Sequence, residues 1–182
     1  MINYLIGGIV VLAVAVIGMY ISYNNRIVTL SNRIEEAWAQ IDVQLQKRFD
    51  LVPNLVETVK GYASHEREIF DNIAKARAGM VSGSRQERIE ADNMLNQALG
   101  RLFAVAEAYP DLKAQANFKL LQEQLEGIEN KIAYSRQYYN DSVLSFNNIV
   151  TTIPGIWFAG GRKKHEFLEI PQEARAAPQV KF

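Results

Sequence analysis

The sequence specifies an all-α protein: an N-terminal transmembrane helix continuing into a long antiparallel helical bundle of about three long helices. Three observations carry this. The first charged side chain is Arg26, at the end of an unbroken apolar run. Beyond it, apolar residues recur in steps of three and four, the spacing of a helix face, and strand-type alternation is hard to find. The prolines, Pro53, Pro110, Pro154, Pro171 and Pro178, are far enough apart to leave long helix-compatible intervals.

Residues 4–23 read YLIGGIVVLAVAVIGMYISY. About twenty residues at ~1.5 Å each span ~30 Å, the thickness of a bilayer's hydrocarbon core. Tyr4 and Tyr23, with Tyr20, lie near the two ends, where interfacial aromatic belts belong. No Lys or Arg precedes the run, and bulky Met19, Tyr20 and Ile21 occupy its end, so it lacks the basic start and small-residue cleavage site of a signal peptide. It reads as a retained membrane span. Gly7, Gly8 and Gly18 offer small faces for lateral helix contact, without a strict GxxxG. Arg26 and Arg33 come after the span, which by the positive-inside bias places the N-terminus outside and the bulk of the chain in the cytoplasm.

A single long helix is expected over 26–78. Its stripe is Ile27, Leu30, Ile34, Trp38, Ile41, Leu45, Phe49, Val52, Leu55, Val59, Tyr62, Ile69 and Ile73. From Ile27 to Tyr62 the mean step is about 3.5, which favours shallow antiparallel packing. Arg33, Glu35, Glu36, Gln40, Asp42, Lys47 and Asp50 form its solvated face. Pro53 interrupts this helix, removing one hydrogen bond and pressing on the Phe49 carbonyl, so a bend or hinge is expected there.

Residues 79–85 have turn composition, and Ser84 with Glu87 three residues later reads as a capping box. A second helix then extends to about Ala108, with Ile89, Met94, Leu95, Leu99, Leu102, Phe103 and Ala106 inward. Pro110 breaks it, Asp111 is a candidate cap, and a third helix runs over about 112–150. Its stripe is Phe118, Leu121, Leu125, Ile128, Ile132, Ser135, Tyr139, Val143, Phe146 and Val150. The domain plan is therefore an anchor over 1–25, a bundle over 26–153 and a tail over 154–182. The stretch 171–182 is too rich in proline and alanine for a core of its own.

Composition excludes several chemistries. The 182 residues carry no net charge, so no basic field argues for nucleic acid. With no cysteine, disulfides and thiolate sites are impossible. HEREI at 65–69 lacks the second histidine of a zinc-protease helix, the only other histidine is His165, and no GxSxG or phosphate-loop pattern occurs. No catalytic group, metal site or cofactor is expected. Polar residues near the helix seams, Asn54, Glu66, Glu129, Asn130, Arg136, Asn140 and Asn147, are read as a network that sets helix register. A ligand or partner site built from the same groups is the alternative. In the tail, Trp157 and Phe158 beside Arg162, Lys163 and Lys164 are candidates for contact with a membrane surface or a partner.

Several motifs in order resemble one known family. Asn32, Trp38, Asp42, Arg48, the run DLVPNLVETVKGYASHE at 50–66, Ala76 and Arg77 are similar to its first motif. Tyr109, Pro110, Asp111, Leu112, Lys113 and Ala114, with Phe118, Leu121, Gln122 and Leu125, resemble its second. Glu129, Asn130, Lys131, Ile132 and Ala133, then Arg136, Tyr139, Asn140, Val143 and Asn147, resemble its third. The family is the bacterial LemA family. The resemblance implies a membrane protein with a short N-terminus and a cytoplasmic-type helical bundle, and it implies no reaction.

The expected function is a membrane-anchored, non-enzymatic helical scaffold or adaptor of the bacterial envelope. Its partners would be the lipid bilayer, through one span in the inner membrane, and further copies of itself or other envelope proteins. The alternative is a membrane-surface binding or remodelling protein that uses the aromatic and basic tail. A hydrolase or metalloenzyme is the remotest reading.

Overall fold

A computed structural model describes residues 1–63 and 65–168; the side chains of residues 81 and 82 and the expected tail stretch 171–182 lie outside the described residues. Among the described residues six helices succeed one another: α1 (Ile2–Lys60), α2 (Arg67–Ser82), α3 (Arg85–Glu107), α4 (Pro110–Ala114), α5 (Ala116–Thr151) and α6 (Gly155–Phe158). Among the described residues there is no strand. The chain is all-α, as its periodicity requires.

The expected membrane span and the first apolar stripe belong to one element. α1 runs unbroken through Pro53, but it ends at Lys60 rather than near residue 78. The amides of Tyr62 and Ala63 both turn back to the Val59 carbonyl at 2.9 Å, and the helical path resumes only at Arg67. Gly61 directly after a basic last turn is the chemistry of a helix C-terminus. Tyr62, expected on the buried stripe, is therefore partly exposed in the connection. The third expected helix is divided in the same way. Pro110 opens the short α4, with Asp111 inside its first turn rather than capping it, and Gln115 is extended before α5 begins.

The expected start of the second helix holds in detail. The Glu87 amide donates to the Ser84 hydroxyl at 3.3 Å, and the Ser84 amide donates to the Glu87 carboxylate at 2.6 Å. That reciprocal pair satisfies two of the amides a helix start leaves open. It also holds the Glu87 carboxyl below its ordinary value, chiefly through the Ser84 amide and then the Ser84 hydroxyl.

The described chain divides into two compact units. The first comprises Met1–Ala39 and Arg136–Phe167. Residues 1–22 are all exposed. From Ile27 the pattern changes: Ile27, Leu30, Ile34 and Ala37 are buried, as are Tyr139, Val143, Phe146, Ile149 and Val150 of α5. Trp38 meets Tyr139 edge to face at 6.4 Å, while the earlier Tyr20 and Tyr23 meet the later Phe158, so the two segments of this unit run antiparallel.

The second unit comprises Gln40–Ser135, joined by Leu168. Its core is built from Ile41, Leu45, Val52, Leu55 and Val59 of α1, Ile73 and Met80 of α2, and Ile89, Leu95, Leu99 and Leu102 of α3. Leu112 of α4 and Phe118, Leu125, Ile128 and Ile132 of α5 complete it. Met94 departs from the expected inward face and is 54% exposed. The Arg77 guanidinium lies 4.3 Å over the Phe49 ring, and Phe103 meets Phe118 edge to face at 6.2 Å. Cation–π and edge-to-face pairs of this kind add about 0.5–1.5 kcal/mol each to the burial of their rings.

Candidate functional site

Two constellations stand out from ordinary packing, one in each unit. In the second unit, Arg48 sits on the buried face of α1, between Leu45 and Val52. One of its terminal nitrogens donates to Asp92 at 2.9 Å and to Glu129 at 2.6 Å, and the other donates to the Asn96 side-chain oxygen. Asn96 in turn donates to Glu129 at 3.2 Å. The side chain of Asp92 is fully buried and that of Glu129 is 42% exposed. A guanidinium presents its donors in a planar fork, so one arginine can join three helices at once. This cluster joins α1, α3 and α5. Nearby, Arg88 pairs with Asp42.

The polar residues expected to set register fall in different places. Glu129 is in the Arg48 cluster, and Asn130 is exposed beside it, lining with Arg48 and Asn96 a cleft of about 330 Å³. Asn54 is exposed, its backbone carbonyl accepting from Thr58, and Glu66 is half-buried at the start of α2. In the first unit, Arg136 is buried, Asn140 is half-buried and Asn147 is buried against the chain beyond α6. A second groove of about 480 Å³ is lined by Lys47, Asp50, Leu51, Gln124, Gly127, Ile128 and Lys131. Among the described residues no group of three or more histidines and carboxylates is placed to hold a metal ion.

The second constellation gathers at the end of the apolar segment in the first unit. After α5 the chain turns sharply. At Gly155 a Cβ would lie 2.0 Å from the Ile149 carbonyl oxygen, so only glycine fits this return. α6 then carries Phe158 onto α1, stacked on Tyr23 at 5.4 Å and edge-on to Tyr20 at 6.3 Å. Gly160 and Gly161, both at positive φ, redirect the chain. Arg162 donates to the Ala159 carbonyl at 3.3 Å and to the Asn24 side chain at 3.2 Å. The stretch after Arg162 is clamped to α5. The Asn147 amide donates to the His165 carbonyl and its oxygen accepts from the His165 amide, both at 2.9 Å. The His165 ring stands edge-on to Phe146 at 4.7 Å. Trp157, Lys163 and Lys164 stay exposed.

A family model described as the LemA family matches residues 37–182. The chain belongs to the LemA family. Among curated relatives it is 27% identical to magnetosome protein MamQ 2 of Paramagnetospirillum magneticum, over 86% of this chain and 68% of that protein. It is 25% identical to magnetosome protein MamQ of Magnetospirillum gryphiswaldense, over 81% of this chain and 65% of that protein. It is 23% identical to Protein LemA of Metamycoplasma hominis, over 74% of this chain and 62% of that protein. The family match begins at residue 37 and so includes both the Arg48 cluster and the α6 return. With its exposed apolar helix, this LemA-family chain is a membrane-associated helical protein.

Proposed function

We propose that the protein is a non-enzymatic scaffold or adaptor of the bacterial envelope, anchored in the inner membrane by one span, that associates with further copies of itself or with other envelope proteins. The observation that carries this is the abrupt change along α1: residues 1–22 are all exposed and overwhelmingly apolar, and the buried ladder begins only at Ile27. A segment of that length and composition needs an apolar surround, which a bilayer supplies. Arg26 and Arg33, directly after the span, favour a cytoplasmic position for the helical bundle, with the N-terminus outside.

The same contrast supports an adaptor over a catalyst. Arg48, Asp92, Asn96 and Glu129 are spent on one another, joining helices. Self-association has support within the span, where a Cβ added at Gly7, Gly8 or Gly18 would meet nothing within 4 Å, so these small faces are open to a neighbouring helix. The test is the mass of detergent-solubilised full-length protein by light scattering, beside a chain beginning at Arg26. A defined oligomer for the full chain, lost in the shorter one, is expected. Monomers in both overturn self-association and leave other envelope proteins as the partners to seek.

A further inference from the structure

The α6 return lies against the end of the apolar segment, through Phe158 on Tyr20 and Tyr23 and Arg162 on Asn24. Ile153, Ile156 and Trp157 are large apolar side chains standing 72%, 49% and 71% exposed on one short stretch. Their neighbour Phe158 is committed to Tyr20 and Tyr23. That commitment fixes the depth of the stretch. Tyr20 and Tyr23 belong to the last turn of the apolar segment, only ~9 Å along the helix from Tyr20 to the first charge, Arg26. Seating the span in a bilayer therefore carries the α6 stretch to the level of the headgroups, where tryptophan is favoured.

We propose that residues 153–164 form an interfacial wedge: Ile153, Ile156 and Trp157 enter the boundary between headgroups and acyl chains, and Lys163 and Lys164 engage anionic phospholipid headgroups of the same leaflet. The proposal rests on reading residues 4–23 as a membrane span. Charge complementarity selects the lipid class. Arg162, Lys163 and Lys164 close the wedge, and Arg162 is tied to Asn24 at the end of the span. Residues 153–164 carry no acidic side chain, and the next one, Glu166, comes after this cluster and beside the His165 clamp. A single helix in a bilayer is free to swivel and tilt, and interfacial anchors set both. A wedge pinned beside the exit of α1 turns one attachment into two and orients the protein on its membrane.

The chain carries two tryptophans, Trp38 and Trp157, so Trp38→Phe leaves Trp157 as the sole reporter. In vesicles of phosphatidylcholine and phosphatidylglycerol, brominated lipids quench a tryptophan according to depth. The expected result is blue-shifted Trp157 emission, quenched most by bromines nearest the headgroups, with stronger quenching from brominated phosphatidylglycerol than from brominated phosphatidylcholine. Replacing Lys163 and Lys164 by Gln lowers that preference at least about fivefold. Should Trp38→Phe disturb the fold, a nitroxide on Trp157→Cys in this cysteine-free chain reads the same depth by spin resonance. Water-like emission without quenching, in protein that resists an alkaline wash of the vesicles, overturns the wedge and leaves the span intact. Protein released by that wash overturns the span reading itself. An unchanged lipid preference after the lysine replacements overturns the anionic partner.

Discussion

Arg48 and Asp92, 44 positions apart in the chain, meet at 2.9 Å with both side chains removed from water. A buried pair of this kind is weak evidence for net stability, because removing two charges from water offsets most of their attraction. What it does supply is register: α1 and α3 cannot slide without separating them.

Asp92→Ala therefore costs about 3 kcal/mol, near the lower end for a broken buried pair, since Arg48 keeps Glu129 and Asn96. Urea unfolding shows this as a lower midpoint at unchanged slope. Arg48→Met combined with Asp92→Leu unfolds at a midpoint closer to the parent protein than Asp92→Ala alone. The reverse order would mean that the pair itself, and not the isolated charge, dominates.

Gly155→Ala places a methyl group against the Ile149 carbonyl oxygen, a main-chain atom that cannot rotate away. The strain of such overpacking is about 2 kcal/mol. It falls on the return that brings Phe158 to Tyr23. Aromatic side-chain resonances of Tyr20, Tyr23 and Phe158 shift together in the variant, whereas those of Phe103 and Phe118 do not.

Asn147→Ala removes both hydrogen bonds to the backbone of His165. Hydrogen exchange at the His165 amide accelerates at least about tenfold, the equivalent of ~1.4 kcal/mol for one lost bond, while amides of α3 keep their protection. Asn147→Asp preserves the acceptor but sets a carboxylate oxygen against the His165 carbonyl, so it does not restore protection fully.

Ser84→Ala lowers stability by about 1 kcal/mol through the lost N-cap. Glu87 adds a pH signature. Its folded value lies below the ordinary one of 4.5, so its contribution is complete above that value and is lost as pH falls through the folded one. Glu87→Gln keeps a partner for the Ser84 amide but titrates nothing, and flattens the thermal-stability profile on the acid side of the ordinary carboxylate value.

Much of this was legible in the chain, and the parts that were not have physical reasons. The α5 stripe from Phe118 to Val150 is buried as spaced, with Leu121 alone half-buried, because a long amphipathic helix states its own inner face. The end of α1 was hidden because Val59, Tyr62, Ile69 and Ile73 keep nearly in phase across the break, so the stripe outweighed Gly61. Arg48 is in step with Ile41, Leu45, Val52 and Leu55, and Asp92 with Ile89, Leu95 and Leu99. Opposite charges in phase with two apolar stripes are the sequence signal of a buried pair, and reading Phe49 as the stripe residue passed over it. The return of Phe158 to Tyr20 and Tyr23 had no local signal at all. It depends on where a whole antiparallel helix ends, which spacing within that helix does not reveal.

We propose that this chain is anchored by residues 4–23 with its helical bundle in the cytoplasm. Because the protein has no cysteine, single cysteines report topology cleanly. Asn3→Cys and Tyr134→Cys, both at exposed positions, would be treated in intact spheroplasts with a membrane-impermeant maleimide. The account predicts labelling at position 3 from outside and at position 134 only after lysis. Labelling at position 134 in intact spheroplasts would contradict it.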